Sequence, residues 1–561
     1  MDAVKFGEME ASEPNIEDLK RRYKELSADL ESATDDASRS AVIESWNEIR
    51  KGIQTWVSLT HVHFAQDTQN ETYKAAQGRA DELGPRLEEL DVAFKRLLLE
   101  NADRSSLEAR FGTHAFNLWQ ADRDSFEPSI VEDAVAEAKL DSKYTELKAG
   151  AKVTFRGEEY NLPGLGRHLA DGDRAIRREA NEAFWGWFEQ NGESLDQIYD
   201  EQVALRAKMA ETLGFSDFVE LGYKRMHRVD YHREDVQRFR EQVRDEVVPL
   251  VKRIKDRQAE ALGLEKLMSW DEGTYRPEGN PRPQGEEAWM TEQAKTMFRR
   301  LHPEIDDFFK MMVDRDLLDL SARSGKAGGG FCTSFPNYDV PFIFANFNGT
   351  DHDVNVFTHE AGHAFQSWCS RDAELADYVW PTYEAAEVHS MSLEFLCWPH
   401  MELFFGDEAE TFRRIHLAGS LSFLPYGVAV DHFQHLIYEQ PNATPQQRHE
   451  LWQQMEQTYL PWRDYGDLKH PAKGGYWQRQ GHIYGMPFYY IDYTLALTCA
   501  LQFWVASRRD PKGAFDRYLA LCKRGGTAPF QDLVHSAGLR SPFELGCLTD
   551  VVREAENVIF E

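Results

Sequence analysis

Apolar residues recur at helical spacing through most of the chain. Ile16, Leu19, Tyr23, Leu26 and Leu30 fall three or four apart, and Val42, Trp46, Ile49, Ile53 and Trp56 do the same. Such spacing puts one apolar stripe on each helix. The stripes are short and rich in tryptophan, which favours packing inside a helical domain over a coiled coil. Pro14 and Asn15 mark a start for the first helix. A break is expected near Asp141. Beyond it Val153 and Phe155, then Tyr160 and Leu162, alternate around Arg156-Gly157-Glu158, as in a small hairpin. Helical spacing resumes at DRAIRREANEAFWGWF and continues through Val236, Phe239, Val243, Val247, Leu250 and Ile254. Residues 271–286 are rich in Pro and Gly and read as a loop.

A second break covers Gly325 to Thr350. GKAGGGFCTSF reads as a flexible, glycine-rich approach, and VPFIFANF as a strand covered on both sides. Helices dominate again from about Val354 to the end. The uncharged run from Tyr493 to Ser507 falls short of the roughly 20 apolar residues a bilayer requires, so it reads as a buried core helix. The expected fold is mainly α with a few short strands. We divide it into an N-terminal helical region (1–140), a helical lobe with the hairpin (141–324) and a region carrying the chemistry (325–561), interleaved into one unit.

Composition narrows the function. The 561 residues are an ordinary globular mixture, which excludes wholesale disorder. Lys and Arg number 64 against 95 Asp and Glu, a net charge of −31, which argues against a nucleic-acid partner. No membrane segment or secretion signal is expected. Cys332, Cys369, Cys397, Cys499, Cys522 and Cys547 are too scattered for a disulfide framework or a zinc ribbon. Reduced thiols and a cytoplasmic location follow as expectations. Oligomeric state is left open.

The chemistry concentrates at His359-Glu360-Ala361-Gly362-His363. On a helix, residues four apart share a face, so His359 and His363 can present two imidazoles to one zinc ion. Glu360 lies beside that face and can accept a proton from attacking water. A glycine in mid-helix is costly and points to a packing reason. Asp351 or Asp353 could cap the helix start. Catalytic zinc takes three protein ligands, so a third is expected downstream. In YEAAEVHSMSLEF, Glu384, Glu387 and Glu394 fall near one face of an otherwise apolar helix. A buried carboxylate there needs a partner, and a metal is one. Asp372, Asp377 and His389 are weaker candidates, and spacing does not choose between Glu384 and Glu387. A further cluster is His482 with Tyr489, Tyr490 and Tyr493. Aromatic stripes are usually core, but these hydroxyls and the imidazole could also donate to an oxyanion.

Taken together, HEAGHAFQ, AEVHSMSLE, the stretch KAGGGFC to PFIFANFNGTDHDVNVF, VTFRGEEYNLPGL, HIYGMPFYYIDY and KRGGTAPFQDLVHSAGL resemble the thimet-type zinc oligopeptidases, within them the oligoendopeptidase F and Pz-peptidase branch. The resemblance implies a mainly α, two-lobed clam with a small β-sheet beside a deep channel, and one Zn2+ per chain. It implies His359, His363 and Glu387 as ligands, which settles the choice against Glu384, and Glu394 as a carboxylate orienting them. Glu360 would be the general base. His482 with Tyr493 and Tyr490, or Tyr489, would stabilise the oxyanion. The strand at Phe342 to Phe347 would pair with the substrate backbone. The implied activity is hydrolysis of internal bonds in short unstructured peptides. The rivals are a zinc carboxypeptidase trimming one or two residues and a helical binding protein with a structural zinc. Ala361 and His389 depart from the family pattern, where a bulkier and a smaller residue would be usual.

Overall fold

Asn15 opens the first helix, Ile16–Ser32, by accepting the backbone N–H groups of Glu17 and Asp18 at 3.1 and 3.0 Å, and Leu19, Tyr23, Leu26 and Leu30 are buried along it. The structure is a computed structural model and describes residues 4–323 and 325–560. The next helix, Asp36–Gln66, carries Trp46 into the same core, against Phe94 and Trp119. Leu375 and Tyr378, from far down the chain, complete that core. Arg50 pairs with Asp377 at 2.7 Å, and the Tyr378 hydroxyl donates to the Phe111 carbonyl. The N-terminal helices are thereby fastened to the segment that comes after the His-Glu-x-x-His helix.

The break expected near Asp141 is absent. Leu140 and Tyr144 continue the apolar stripe across it, and Val131–Ala149 ends only at Gly150. The hairpin forms as read, with Val153 opposite Tyr160. Arg156 and Gly157 both take positive φ, 50° and 86°, the two-residue turn whose twist suits a hairpin. Leu162 belongs to the following helix, Leu162–Leu169. The stripe from Val236 to Ile254 runs through one nearly continuous helix whose middle turn, Val243–Val247, is widened.

The second break is more ordered than its glycines suggest. Phe331–Phe335 and Leu318–Ser321 are strands, and they flank Val340–Phe347 in a three-stranded sheet. The glycine-rich approach is pinned by Lys326. Its buried ammonium donates to the Asp319, Ser321 and Ala345 carbonyls at 3.0, 2.9 and 2.6 Å. Asn346 ties down Ala327 and Gly329, each at 2.8 Å. The central position of Val340–Phe347 corrects one expectation: both its edges are already paired, one parallel and one antiparallel. Phe342–Phe344 therefore has no backbone edge left for a substrate, and of the two outer strands Phe331–Phe335 is the one that lines a cavity with His359 and Glu360. The uncharged run near the C-terminus forms the buried helix Tyr490–Arg509, and no helix among the described residues is long and apolar enough to cross a membrane.

Candidate active site

The helix that carries the motif, Asp351–Ser370, comes after the central strand and a short turn. Neither candidate aspartate caps it through its own first N–H groups. Asp353 instead accepts the backbone N–H groups of Asn348 and Gly349, at 3.0 and 2.7 Å, and so fixes the turn. Gly362 lies against the next helix, Tyr383–Leu396. A Cβ there would sit 2.6 Å from Ser390 Cα and 2.7 Å from the His389 carbonyl oxygen. Only glycine lets the two backbones come this close.

That approach delivers Glu387. Its Oε2 lies 3.2 Å from His359 Nε2 and 3.4 Å from His363 Nε2. The three ligand atoms fall within 4.8 Å of one another, and no fourth His, Cys, Asp or Glu joins them among the described residues. Two imidazole nitrogens and one carboxylate oxygen facing a cavity fit a zinc ion with a position left open. Two of the three are held from behind, whereas His363 Nδ1 is buried without a hydrogen-bond partner among the described residues. His359 Nδ1 donates to Glu394 Oε1 at 2.8 Å, and Glu394 Oε2 accepts from His416 Nε2 at 2.8 Å. The Trp398 indole donates to His416 Nδ1 at 3.0 Å, which fixes that tautomer. Ser390 donates to Glu387 Oε2 at 2.9 Å and the Tyr489 hydroxyl to Glu387 Oε1 at 2.6 Å. Burial alone would raise both carboxyls. His363 and His359 outweigh it and hold Glu387 well below its usual range, and His359 and His416 bring Glu394 to about 2.

Glu360 stands apart from this network. It is 6% exposed, and its Oε2 has no hydrogen-bond partner. Burial raises its pKa, against the pull of His359 and His363. The other candidates lie outside the three-residue cluster. Glu384 is buried with neither oxygen bonded, and burial, then Asp492 and Asp230, push its carboxyl well above the usual range. Asp377 pairs with Arg50, Asp372 is exposed beside Arg371, and His389 is fully buried with Nδ1 on the Ala385 carbonyl at 2.7 Å.

Opposite lie His482 and the tyrosines. Tyr426 donates to Gln480 Oε1 at 3.0 Å, so the Gln480 amide nitrogen faces His482 Nδ1, 2.8 Å away. His482 Nε2 therefore bears the ring proton, 3.3 Å from the Tyr493 hydroxyl. Burial lowers His482 to about 4, and burial with Glu387 raises Tyr489 and Tyr493, so all three are neutral near pH 7. The Tyr490 ring lies 5.2 Å from that of His482 and also packs against Phe423 and Tyr426. This segment hangs on Phe488, whose φ is 68°. Gln434 accepts its N–H at 3.0 Å, while Arg228 donates to its carbonyl at 2.5 Å and to Asp492 Oδ1 at 2.8 Å. Its ring lies over Gly222, where a Cβ would be only 2.6 Å away. Such strain persists only where the surroundings enforce it. Sequence reasoning misses His416 and Arg228, which lie far along the chain from the residues they support, and gives no role to Ser390 and Gln480, which lie three and two residues from Glu387 and His482.

His359, Glu360 and Gly330 border two cavities, so a channel passes the three-ligand centre. One, of about 550 Å³, is walled by the outer strand, Trp380, Tyr489 and Tyr493. The other, of about 810 Å³, is walled by Tyr426, Tyr476, Arg479 and Tyr490.

A metal-type ligand set open to a channel in a helical fold is what a metallopeptidase requires, and comparison with known proteins agrees. Residues 167–551 match the family model for Peptidase family M3, and residues 6–126 that for the Peptidase M3 N-terminal domain. The chain belongs to peptidase family M3. It is similar to a solved structure of Pz peptidase A with an inhibitor, at 45% identity and a TM-score of 0.97 over 99% of each chain. It is also similar to a structure from Bacillus anthracis provisionally assigned as oligoendopeptidase F, at 43% identity and a TM-score of 0.92 over 100% of this chain and 99% of that one. Among curated proteins, Oligopeptidase PepF of Bacillus subtilis is 24% identical over 272 residues, 46% of this chain and 40% of that protein's length.

The geometry can be tested at two positions. Gly362→Ala forces the two helices apart at a cost of about 1–3 kcal/mol. Calorimetry should show a lower unfolding midpoint and chelator competition a weaker zinc site. An unchanged midpoint would mean the contact has slack. Glu387→Ala should weaken zinc binding by about a hundredfold or more, beyond what loss of an outer partner costs. Glu384→Ala should leave metal content near normal, and the opposite ranking would remove Glu387 as the third ligand.

Proposed function

We propose that this chain is a zinc oligoendopeptidase that hydrolyses internal bonds of short, unstructured peptides in the cytoplasm. The observation that carries this reading is Glu360, buried with a free carboxylate oxygen beside a three-ligand centre that faces a channel. His359, His363 and Glu387 would hold the zinc, which when bound polarises the peptide carbonyl and eases deprotonation of water.

Glu360 accepts a proton from the attacking water. Its buried, unbonded Oε2 is free to hold that proton and hands it to the leaving amine. The peptide oxygen gains charge as the water attacks. Tyr493 and the Nε2–H of His482 are neutral donors aimed into the same space and stabilise that charge. Tyr489 is committed to Glu387 and acts through that ligand, while Tyr490 lines the second cavity. The outer strand Phe331–Phe335 offers its backbone edge to an extended peptide, a mode of recognition that tolerates many side chains. All six cysteines are free thiols, which suits a reducing compartment.

The test is an internally quenched peptide of roughly ten residues with both ends blocked, incubated with and without chelator, its products identified by mass spectrometry. Internal cuts that vanish with chelator and return with zinc are expected. Cutting only of peptides with a free C-terminus would favour a carboxypeptidase, and no cutting of either would favour a binding protein. Glu360→Gln should keep its zinc and lose activity by about 10²–10⁴-fold. Near-normal turnover in that variant would sink the role given to Glu360.

A further inference from the structure

The larger cavity holds a cation that the three-ligand centre does not use. Arg479 lines it, and its guanidinium makes one polar contact among the described residues, a 3.0 Å hydrogen bond to the Tyr476 hydroxyl. Arg463 lies against the same tyrosine ring. The two guanidinium carbons are 5.0 and 4.8 Å from its centroid. Arg463, however, is neutralised by Glu272, through bonds of 3.0 and 2.8 Å. Lys255 is buried and spends its ammonium on Gln258 and the Glu272 carbonyl. Arg479 has no carboxylate within salt-bridge distance among the described residues, in a chain whose net charge is −31.

A second cation adds to it. The Lys148 ammonium donates to the Arg479 carbonyl at 2.9 Å and to the Tyr144 hydroxyl at 3.0 Å, again without a carboxylate partner among the described residues. Burial and then Arg479 lower its pKa to about 8, a sign of uncompensated positive charge at this point. Two neighbouring cations with no carboxylate at salt-bridge distance among the described residues, beside a cavity that reaches Glu360 and His359, form a site for an anion.

We propose that Arg479 binds a carboxylate of the peptide substrate, on the C-terminal side of the bond being cut. This rests on the peptidase reading. The direction follows from antiparallel addition, the more stable pairing per residue. A peptide added antiparallel to Phe331–Phe335 lays its N-terminal part along Cys332 to Ser334. Its C-terminal part then passes Gly330 and Glu360 into the larger cavity. The planar guanidinium, steadied on the Tyr476 ring, leaves donors free for a two-point bond to a carboxylate.

The test compares one peptide sequence ending in a free carboxylate or a carboxamide, and a carboxamide peptide with glutamate as its last residue. Wild type should prefer the free acid by about tenfold or more in kcat/KM, chiefly through KM. In Arg479→Gln the acid-to-amide ratio should fall to near one, and in Arg479→Lys part of it should survive. Because the readout is a ratio within one enzyme, poor folding of a variant does not imitate the result. Recovery with the glutamate peptide would assign the site to a side-chain carboxylate, and no recovery to the terminal one. A wild-type ratio near one, or an unchanged ratio in Arg479→Gln, would overturn the carboxylate site while leaving the peptidase reading intact. No cutting of any peptide by wild type would overturn both.

Discussion

The close approach of two helices at Gly362 is the constraint on which the rest of the centre depends. His359 and His363 need only their own helix to share a face. Glu387 belongs to another helix, and its carboxylate reaches them because the Ser390 and His389 backbone occupies the space a Cβ would take. The same approach orients the outer partners. Ser390, which touches Gly362, also donates to Glu387, and one helical stretch further on Glu394 bridges His359 and His416. A shift of one ångström there would misplace Glu387, the proposed third ligand, together with Ser390 and Glu394. Metal sites are this sensitive because their outer partners fix ligand direction as well as basicity.

Four acidic groups near the centre show how environment divides one chemistry into different roles. Glu387 and Glu394 face imidazoles and stay ionised despite burial. Glu384 sits on the same helix, one turn before Glu387, and burial with Asp492 and Asp230 outweighs Arg228 and keeps its proton on. Asp492 has Arg228 yet is pushed up to about 7 by burial, with Asp431 and Glu387 adding to it. Sequence spacing puts Glu384 and Glu387 near one helix face and cannot separate them. What separates them is which helix lies opposite, and that depends on contacts between residues distant in the chain.

This is also where legibility in the sequence ends. The stripes of the first helices, the hairpin turn and the core helix Tyr490–Arg509 are local patterns, and they fold as read. The His-Glu-x-x-His helix is local as well. The expected break at Asp141 gives too much weight to one polar residue within an apolar stripe, where Leu140 and Tyr144 carry the helix on. The strand at Phe331–Phe335 is hidden behind three glycines, because its order comes from Lys326 and Asn346 reaching across from the chain on either side. His416 is invisible for the same reason, since it acts through Glu394 and Trp398 of earlier elements, and Gln480, though two residues from His482, is set by Tyr426 from a distant helix.

The position of that strand bears on what the channel can admit. An exposed strand edge normally invites any other edge to pair with it. This one is recessed. Ser58, on the helix Asp36–Gln66, meets Thr333 at 3.0 Å, and the Trp380 indole donates to Ser334 at 3.3 Å. The sheet behind it is filled by Val340–Phe347, so nothing can add from that side. A partner must therefore enter lengthwise as a single extended chain, passing His359 and Glu360 on the way. A folded protein presents its strands already paired and its loops too short to lie flat along such a groove. On the peptidase reading, selection for unstructured peptides then needs no dedicated recognition residue. It results from placing the edge of Phe331–Phe335 at the bottom of a cleft and the proposed proton acceptor at its end.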